Sequence, residues 1–425
     1  MKNTFLFAAI VILTCGFALG QAQYQVLYNF CSQPNCADGA FAGGRPVLDG
    51  AGNLYGFTSE GGTQNNGGTV FELAPNSNGT WSETTLYSFC SSSDACPTGS
   101  TPAGLVVDSV GNLYGTTTFG GQSSCADSPG CGVVFELSPP SIQGAPWTYA
   151  VLYNFCTIET GKVCEDGSDP TGPPVLDASG NLYGATAGGG QNNSGTVYKL
   201  SRAGSGWTEA VLYSFCYPYG DCPSGGFPEN GLTFDEFGNL YGTTAGGGNP
   251  GGEYGGGTLY KLSPGSVGWT ETVVYAFAAP KVNSYNILGP VTLDAAGNVY
   301  STVTTRYTQS LSDGAVGRLG TDGAVKAFFF DAIDGKAPLT GVIVDASRRM
   351  LYGTTVTGFF GPGNVFEIDK FGNETVLYTF CQQSGCSDGD LPGGLVEDKL
   401  GNLYGTTLNG GNQGEGYGVV FEVTP

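Results

Sequence analysis

The stretch Asp177-Ala-Ser-Gly-Asn-Leu-Tyr-Gly184 recurs along the chain in seven versions, with its tyrosine at Tyr55, Tyr114, Tyr183, Tyr241, Tyr300, Tyr352 and Tyr404. The intervals are 59, 69, 58, 59, 52 and 52 residues. A spacing of this size marks stacked copies of one supersecondary unit. The copy around Tyr241 gives the unit its strands. Asn230–Asp235 reads as a short strand, Glu236-Phe-Gly238 as a turn, and Asn239–Thr244 as a second strand. A glycine-rich loop, Ala245–Gly257, leads to a third strand, Thr258–Leu262, and a turn carrying Trp269 leads to a fourth, Glu271–Phe277. Four short antiparallel strands, repeated, are the pattern of a propeller blade.

The ends of the chain close the ring. Tyr24–Phe30 is of the fourth, outer type, while the last strand, Gly418–Val423, is of the third type. The N-terminal strand is therefore expected to complete the last blade, which removes an exposed edge. The fold class that follows is all-β: one seven-bladed β-propeller of four-stranded antiparallel blades, spanning residues 21–425. Its 73 glycines, 12% aromatic and 12% charged residues suit short strands and turns and argue against helices.

Charge and composition exclude several functions. A net charge of −21 with 15 Lys and Arg leaves too little positive charge for a nucleic-acid partner or an anionic membrane surface. The chain has no histidine, so Ser-His-Asp triads, Cys-His dyads and histidine metal sites are excluded together. Any chemistry would have to run on carboxylates, Tyr, Lys or a metal held by oxygens.

At the N-terminus Lys2 precedes the apolar run Phe5–Leu13 and the small residues Ala18-Leu19-Gly20. This reads as a secretory signal over residues 1–20, too short to anchor. Cys15 sits in a poor match to a lipoprotein box, because Thr14 precedes it. No other stretch approaches transmembrane length and the chain stops at Val423-Thr424-Pro425, so no membrane insertion is expected after signal removal. The location expected is secreted, extracellular or cell-surface, with the periplasm as the alternative.

The other twelve cysteines fall into local pairs: Cys31/Cys36, Cys90/Cys96, Cys125/Cys131, Cys156/Cys164, Cys216/Cys222 and Cys381/Cys386. In an exported chain such pairs read as disulfides, and five of them hold the same place in their repeats, after a Tyr-x-Phe strand. Each closes so short a loop that it contributes only about 2 kcal/mol. Zinc is the rival, but the spacings vary and no Cys-x-x-Cys occurs.

Strand alternation puts the loops between second and third strands, and those between blades, on one face. All six bridges are expected there, and variable loops on a rigid scaffold are where binding usually resides. Asp38, Asp166 and Asp388 follow the second cysteines, Asp334 holds the place in a cysteine-free blade, and Asp169 and Asp390 lie nearby. Together with Glu165 these acids read either as ordinary turn residues or as a carboxylate ring at the channel mouth that could bind Ca²⁺; no other cofactor is expected. Residues 300–350 hold six of the fifteen basic residues, among them Arg306, Arg318, Arg348 and Arg349, which reads as repeat decay or as a partner-docking patch. The Asp-x-x-Gly-Asn turn is expected to be structural, since the EF-hand spacing is absent. Trp81, Trp147, Trp207 and Trp269 read as packing residues, with sugar stacking as the alternative. The glycine runs lack the helix that a phosphate cradle needs.

The combination of Gly-Leu-Val-x-Asp, Gly-Asn-Leu-Tyr-Gly-Thr-Thr, Gly-Gly and Gly-Val-Val-Phe-Glu-Val, seen whole at Gly394–Val423, resembles the GloVer (Gloeo–Verruco) tandem repeat of exported bacterial proteins. Blades one to four and seven match well, while blade five loses the third-strand signature and blade six carries Ser347-Arg-Arg-Met350 in the turn. The resemblance implies an extracellular or surface location and carries over no catalytic residue. The functional expectation is a monomeric, non-catalytic binding or adhesion propeller. Its ligand would be a glycan, a surface polymer or a protein, held on the disulfide-stapled face. The alternative is a propeller enzyme: a carboxylate-based glycosidase or polysaccharide lyase, or a metal-dependent lactonase.

Overall fold

The computed structural model describes residues 22–425 except 65, 91–95, 123–124, 126–128, 143, 162, 205, 217–221, 249–254, 278–283, 308–309, 331–336, 357–361 and 412–415. The expected signal sequence, Cys15 and Asp334 lie outside the described residues. Seven four-stranded antiparallel sheets form a ring, a seven-bladed β-propeller. In each blade the first strand lines the central channel and the fourth lies outermost. Blade four runs Gly226–Phe234, Leu240–Gly246, Thr258–Gly265 and Gly268–Ala276. Its first strand starts four residues before the expected Asn230, because a bulge between Glu229 and Thr233 breaks the alternation that would have revealed it. The last blade consists of Asp390–Glu397, Leu403–Asn409 and Val419–Thr424, completed by Gln23–Asn29 from the N-terminus. Gln23 pairs with Thr424 and Asn29 with Val419, so the ring closes as the strand types require.

Most positions of the repeated stretch have a structural task. Asp177 Oδ1 accepts from the amides of Ser179 and Asn181, and its Oδ2 from the Asn181 side chain and the Tyr183 hydroxyl. Leu182 is fully buried. The glycine after the tyrosine exists because the third-strand aromatic lies on it. A Cβ at Gly242 would come within 2.4 Å of the Tyr260 hydroxyl, and one at Gly56 within 2.4 Å of the Phe71 ring. The two threonines that follow point in different directions. Thr116 and Thr406 donate to Gly172 and Gly44 of the next blade, at 2.8 and 2.9 Å. Thr58 and Thr244 instead pair across the sheet with Thr69 and Thr258.

Aromatic wedges join the blades. At six of the seven boundaries the phenylalanine that follows the outer strand packs on the third-strand aromatic of the next blade: Phe30 on Phe71, Phe89 on Phe135, Phe155 on Tyr198, Phe215 on Tyr260, Phe330 on Phe366 and Phe380 on Phe421. The ring centroids are 4.8 to 5.4 Å apart, the edge-on or tilted range that aromatic pairs prefer. The tryptophans reach the other way. Trp81, Trp147, Trp207 and Trp269 meet Tyr404, Tyr55, Tyr114 and Tyr183 of the preceding blade edge-on. They are packing residues.

Blade five departs from this plan. Its first strand is split into Ser284–Leu288 and Thr292–Leu293, on either side of Gly289-Pro290. Proline has no amide to donate to the ladder. Ser301 replaces the glycine of the repeat, and the residue paired with it is Gly317 rather than an aromatic. Bulk has been exchanged between the two strands.

Candidate functional site

All six local cysteine pairs are disulfides: Cys31–Cys36, Cys90–Cys96, Cys125–Cys131, Cys156–Cys164, Cys216–Cys222 and Cys381–Cys386, with Cα atoms 4.0 to 5.7 Å apart. Five close loops between blades, and Cys125–Cys131 closes a loop between second and third strands. The sulfurs of Cys125, Cys131, Cys156 and Cys164 lie within 4.8 Å of one another, so these two kinds of loop do share one face.

The fold is all-β as the composition suggests, and the second cysteines Cys36 and Cys386 end single 3-10 turns, Pro34–Cys36 and Ser384–Cys386. A bridge across so few residues forces the chain to double back, and the Cys36 and Cys386 amides donate to the Gln33 and Gln383 carbonyls. The second cysteines are not displayed as loop decoration. Cys96 is 2% exposed, Cys131, Cys164 and Cys222 are buried as well, and Cys36 and Cys386 are half-buried. The reason is a backbone task. The carbonyls of Cys36, Cys96, Cys164 and Cys386 each accept two glycine amides, from Gly39 and Gly62, Gly99 and Gly121, Gly167 and Gly190, and Gly389 and Gly411. Each staple thus anchors its own loop to the glycine pair that follows the second strand. The cysteines hold the face in shape.

The acids that follow the cysteines turn into their own loops. Asp38, Asp166 and Asp388 are fully buried, each wrapped by its own stapled loop. Asp38 accepts from the Tyr28 hydroxyl at 2.8 Å, from the Ser32 amide and hydroxyl, and from the Gln33 amide. Asp166 takes the Tyr153 hydroxyl and the Thr157 amide and hydroxyl. Asp388 takes the Tyr378 hydroxyl and the amides of Gln382 and Gln383. These carboxylates satisfy loop donors that burial would otherwise orphan. Among the described residues no three carboxylates bring their oxygens within 4.8 Å of one another.

Asp169 and Asp390 lie at the start of the inner strands Ser168–Leu176 and Asp390–Glu397, and burial raises the pKa of both carboxyls. Asp390 Oδ1 accepts the Leu391 amide at 2.7 Å. Asp169 also belongs to a set that local sequence reading misses. Phe41, Thr101, Asp169, Phe227 and Leu391 occupy one position in five blades, two residues after a glycine, with φ between 54° and 58°. The left-handed region is costly for such side chains and persists only where the surroundings enforce it. The cause is a stitch between blades. The amides of Phe41, Thr101, Asp169 and Phe227 donate to Tyr417, Gly67, Cys131 and Ser194 of the preceding blade. At Leu391 the amide turns instead to Asp390 Oδ1, so φ recurs in all five blades while the half-buried side chain varies.

A second recurring group lies deeper between the blades. Glu83, Glu209 and Glu271 stand four residues before the outer-strand tyrosines Tyr87, Tyr213 and Tyr275, and that recurrence was the available signal. Burial pushes the Glu83 carboxyl up to about 7 and Glu209 to about 8, the latter helped by Asp166, and it raises Glu271 too. Blades seven and two place Tyr24 and Tyr149 there, stacked on Tyr378 and Tyr87 at 3.7 and 3.9 Å. Their hydroxyls donate to the carbonyls of Asp388 and Thr98 in the stapled loops. Beside Glu209 a cavity of about 630 Å³ is lined by Ile158, Glu165, Asp166, Gln191 and Tyr213. Glu229 is different, because the matching inner-strand positions carry Gly43 and Thr171. Burial raises it to about 7, opposed by the Leu288 amide.

The basic residues do not form one patch. Arg306 stands near the end of Val299–Tyr307, at a hairpin on the loop side. Arg318 donates to Asn298 and Arg348 to Tyr352, and both lie by the short turns of the opposite face. Arg348 also reaches the carbonyls of Leu400 and Gly401 in blade seven, so the Ser347-Arg-Arg-Met350 turn ties two blades together. Arg349 is exposed in the same turn, with φ 59°. Proximity in sequence mixed residues from two faces.

The model of the Gloeobacter/Verrucomicrobia repeat matches residues 15–165 and 129–329, well over half of the chain. The chain belongs to this repeat family. None of the curated proteins matches it. Among solved structures, the polysaccharide lyase Uly1 is similar with a TM-score of 0.51 at 10% identity, over 93% of this chain and 92% of that one. AofleA from Arthrobotrys oligospora gives 0.41 at 11%, over 84% of this chain and 89% of that one. The NanB sialidase from Streptococcus pneumoniae gives 0.42 at 11%, over 94% of this chain and 70% of that one. The likeness to Uly1 is one of fold. Among the described residues no helix is long and apolar enough to cross a membrane.

Proposed function

We propose that this member of the repeat family is an exported, non-catalytic propeller that binds a glycan through its disulfide-stapled face. One observation supports the reading: a left-handed backbone that recurs at the start of five inner strands presents aromatic, hydroxyl, acidic and aliphatic side chains in turn, Phe41, Thr101, Asp169, Phe227 and Leu391. Fixed geometry with varied chemistry is what selective recognition needs, and the stapled loops keep ordering costs low. Two half-buried rings, Phe227 and Phe41 with Tyr417 edge-on beside it, would supply the apolar contact to a sugar face. The raised-pKa acids support binding over catalysis. Glu83, Glu209 and Glu271 are copies of one another, whereas catalysis needs different groups in different roles at one place. A polysaccharide lyase shares the fold, and at that identity no residue carries over.

Glu229 favours a second reading, a carboxylate-based glycosidase or lyase. It is a non-repeated acid near the channel whose proton is held to about pH 7.

The test presents the oxidised protein to a panel of polysaccharides, with and without calcium, and follows both retention and release of new sugar ends. Retention without release, weakened at least tenfold by Phe41→Ser with Phe227→Ser, is the expected result. New reducing or unsaturated ends that vanish in Glu229→Gln would replace this reading with the enzyme.

A further inference from the structure

Among the described residues, the lining of the central channel holds one charge with no partner. The inner strands crowd together at its waist through small residues. A Cβ at Gly104 would come within 2.3 Å of the Pro173 backbone, one at Gly231 within 2.9 Å of the Pro173 carbonyl, and one at Gly341 within 2.8 Å of Pro290. Six blades thus place Gly104, Pro173, Gly231, Pro290, Gly341 or Gly394 at this level. Blade one places Arg45. Gly394 makes room for it: a Cβ there would lie 2.9 Å from the Arg45 Cβ.

Below the waist the channel opens into a cavity of about 630 Å³, a size that suits a small organic ligand. Its walls include Val47, Val106, Val175, Ile343 and Val396. Among the described residues lining it, Arg45 is the one that carries a charge. The polar side chains there are already engaged. Asn230 donates to Leu288, Thr233 to Val291 and Thr292 to Val342, Thr340 pairs with Thr354, and the Tyr352 hydroxyl receives Arg348. Among the described residues Arg45 has neither a hydrogen bond nor an ion pair. Enclosure lowers its pKa from the ordinary guanidinium value, though such a group stays protonated. The Arg45 side chain is exposed to the channel, so its guanidinium is open to a ligand that enters.

We propose that the channel is a binding site for a small organic monocarboxylate, its carboxylate held by the Arg45 guanidinium and its apolar body lying against the valine-lined wall. The guanidinium fork matches a carboxylate with two parallel hydrogen bonds. A single cation balances one negative charge. In a chain of net charge −21 a dianion would meet an unfavourable field. The site lies inside the ring and is separate from the stapled face, so it stands or falls independently of glycan binding.

Benzoate is the probe, with benzamide as its neutral twin, titrated calorimetrically into the full mature protein at fixed ionic strength. Benzoate is expected to bind with one site per chain and benzamide at least about tenfold more weakly. Arg45→Gln should abolish the preference for benzoate, and Arg45→Lys should keep part of it. Val175→Phe fills the cavity but leaves the arginine, and it should reduce binding of both probes. Thermal melts identify any variant that fails to fold. No heat with benzoate at millimolar concentration would overturn the proposal, as would equal binding of benzoate and benzamide, or undiminished benzoate binding by folded Arg45→Gln.

Discussion

The interface between blades three and four and the one between blades four and five solve the same packing problem with different parts. At the first, Phe215 is fully buried and meets Tyr260 at 5.0 Å, and Tyr260 in turn covers Gly242. At the second, Phe277 is only partly buried, packed on the small cluster of Leu259, Val291 and Val299. The aromatic that would receive it is replaced by Gly317, and the bulk has moved to Ser301. The first interface also carries a stapled loop, and the second has no cysteine. A propeller needs every interface closed, yet it does not need them equally strong. The repeated motif is thus a packing code whose letters change in pairs.

The comparison breaks most visibly at the wedge. Phe215→Ala should destabilise the protein by about 3–5 kcal/mol, the cost of emptying a closed aromatic site. Phe277→Ala should cost about 1 kcal/mol, as for a partly exposed contact. Chemical denaturation of the two variants checks the ranking. Equal losses would mean that blade five is held as tightly as its neighbours.

The exchange of bulk is tested next. Gly242→Ser places an atom against the Tyr260 hydroxyl and should cost about 1–3 kcal/mol by overpacking. Combining it with Tyr260→Gly reproduces the blade-five pair. The double variant should be more stable than the two single losses added together, with a coupling energy above about 0.5 kcal/mol. Strict additivity would show that Ser301 and Gly317 arose independently. A smaller effect is expected at the staple. Replacing both Cys216 and Cys222 by Ser makes that boundary cysteine-free like the next one. It should lower stability by about 2 kcal/mol, read as a shift in denaturation midpoint.

What was legible in the sequence follows from how much of the answer is local. The turn around Asp177, the strand types and the closing strand Gln23–Asn29 are written in short-range pattern, because alternation and turn chemistry act over a few residues. The cysteine pairs were legible because the same spacing recurred at one place in the unit. That Cys36, Cys96 and Cys386 turn inwards was not, because the glycine amides that their carbonyls receive come partly from beyond the second strand. Asp38, Asp166 and Asp388 were ambiguous because Asp-Gly marks an exposed turn as readily as a buried one, and only the returning Tyr28, Tyr153 and Tyr378 hydroxyls separate the two cases. Arg306 and Arg348 looked like neighbours because sequence distance does not distinguish opposite ends of a strand. Arg45 could have been found. Aligning the seven inner strands shows an arginine in a column of glycine and proline, a contrast that no single repeat displays.

The last distinction concerns protons. Glu209 lies six residues before Phe215, and Ala324 holds the same place before Phe330 in blade five. Burial first, and then the nearby Asp166, raise the Glu209 carboxyl from 4.5 to about 8 in the folded protein. The folded state therefore holds a proton that the unfolded chain releases at lower pH. Stability from this group is fully present below pH 4.5 and is lost progressively as pH rises towards 8. Glu83, raised to about 7, acts in the same direction over a narrower window. Partial solvent access keeps the effect small, so it is best read as a difference. Melting temperatures of the parent should fall between pH 5 and 8, and Glu209→Gln should flatten part of that slope. An unchanged slope would mean that Glu209 ionises freely in the folded ring, and blades three and five would then respond alike to pH.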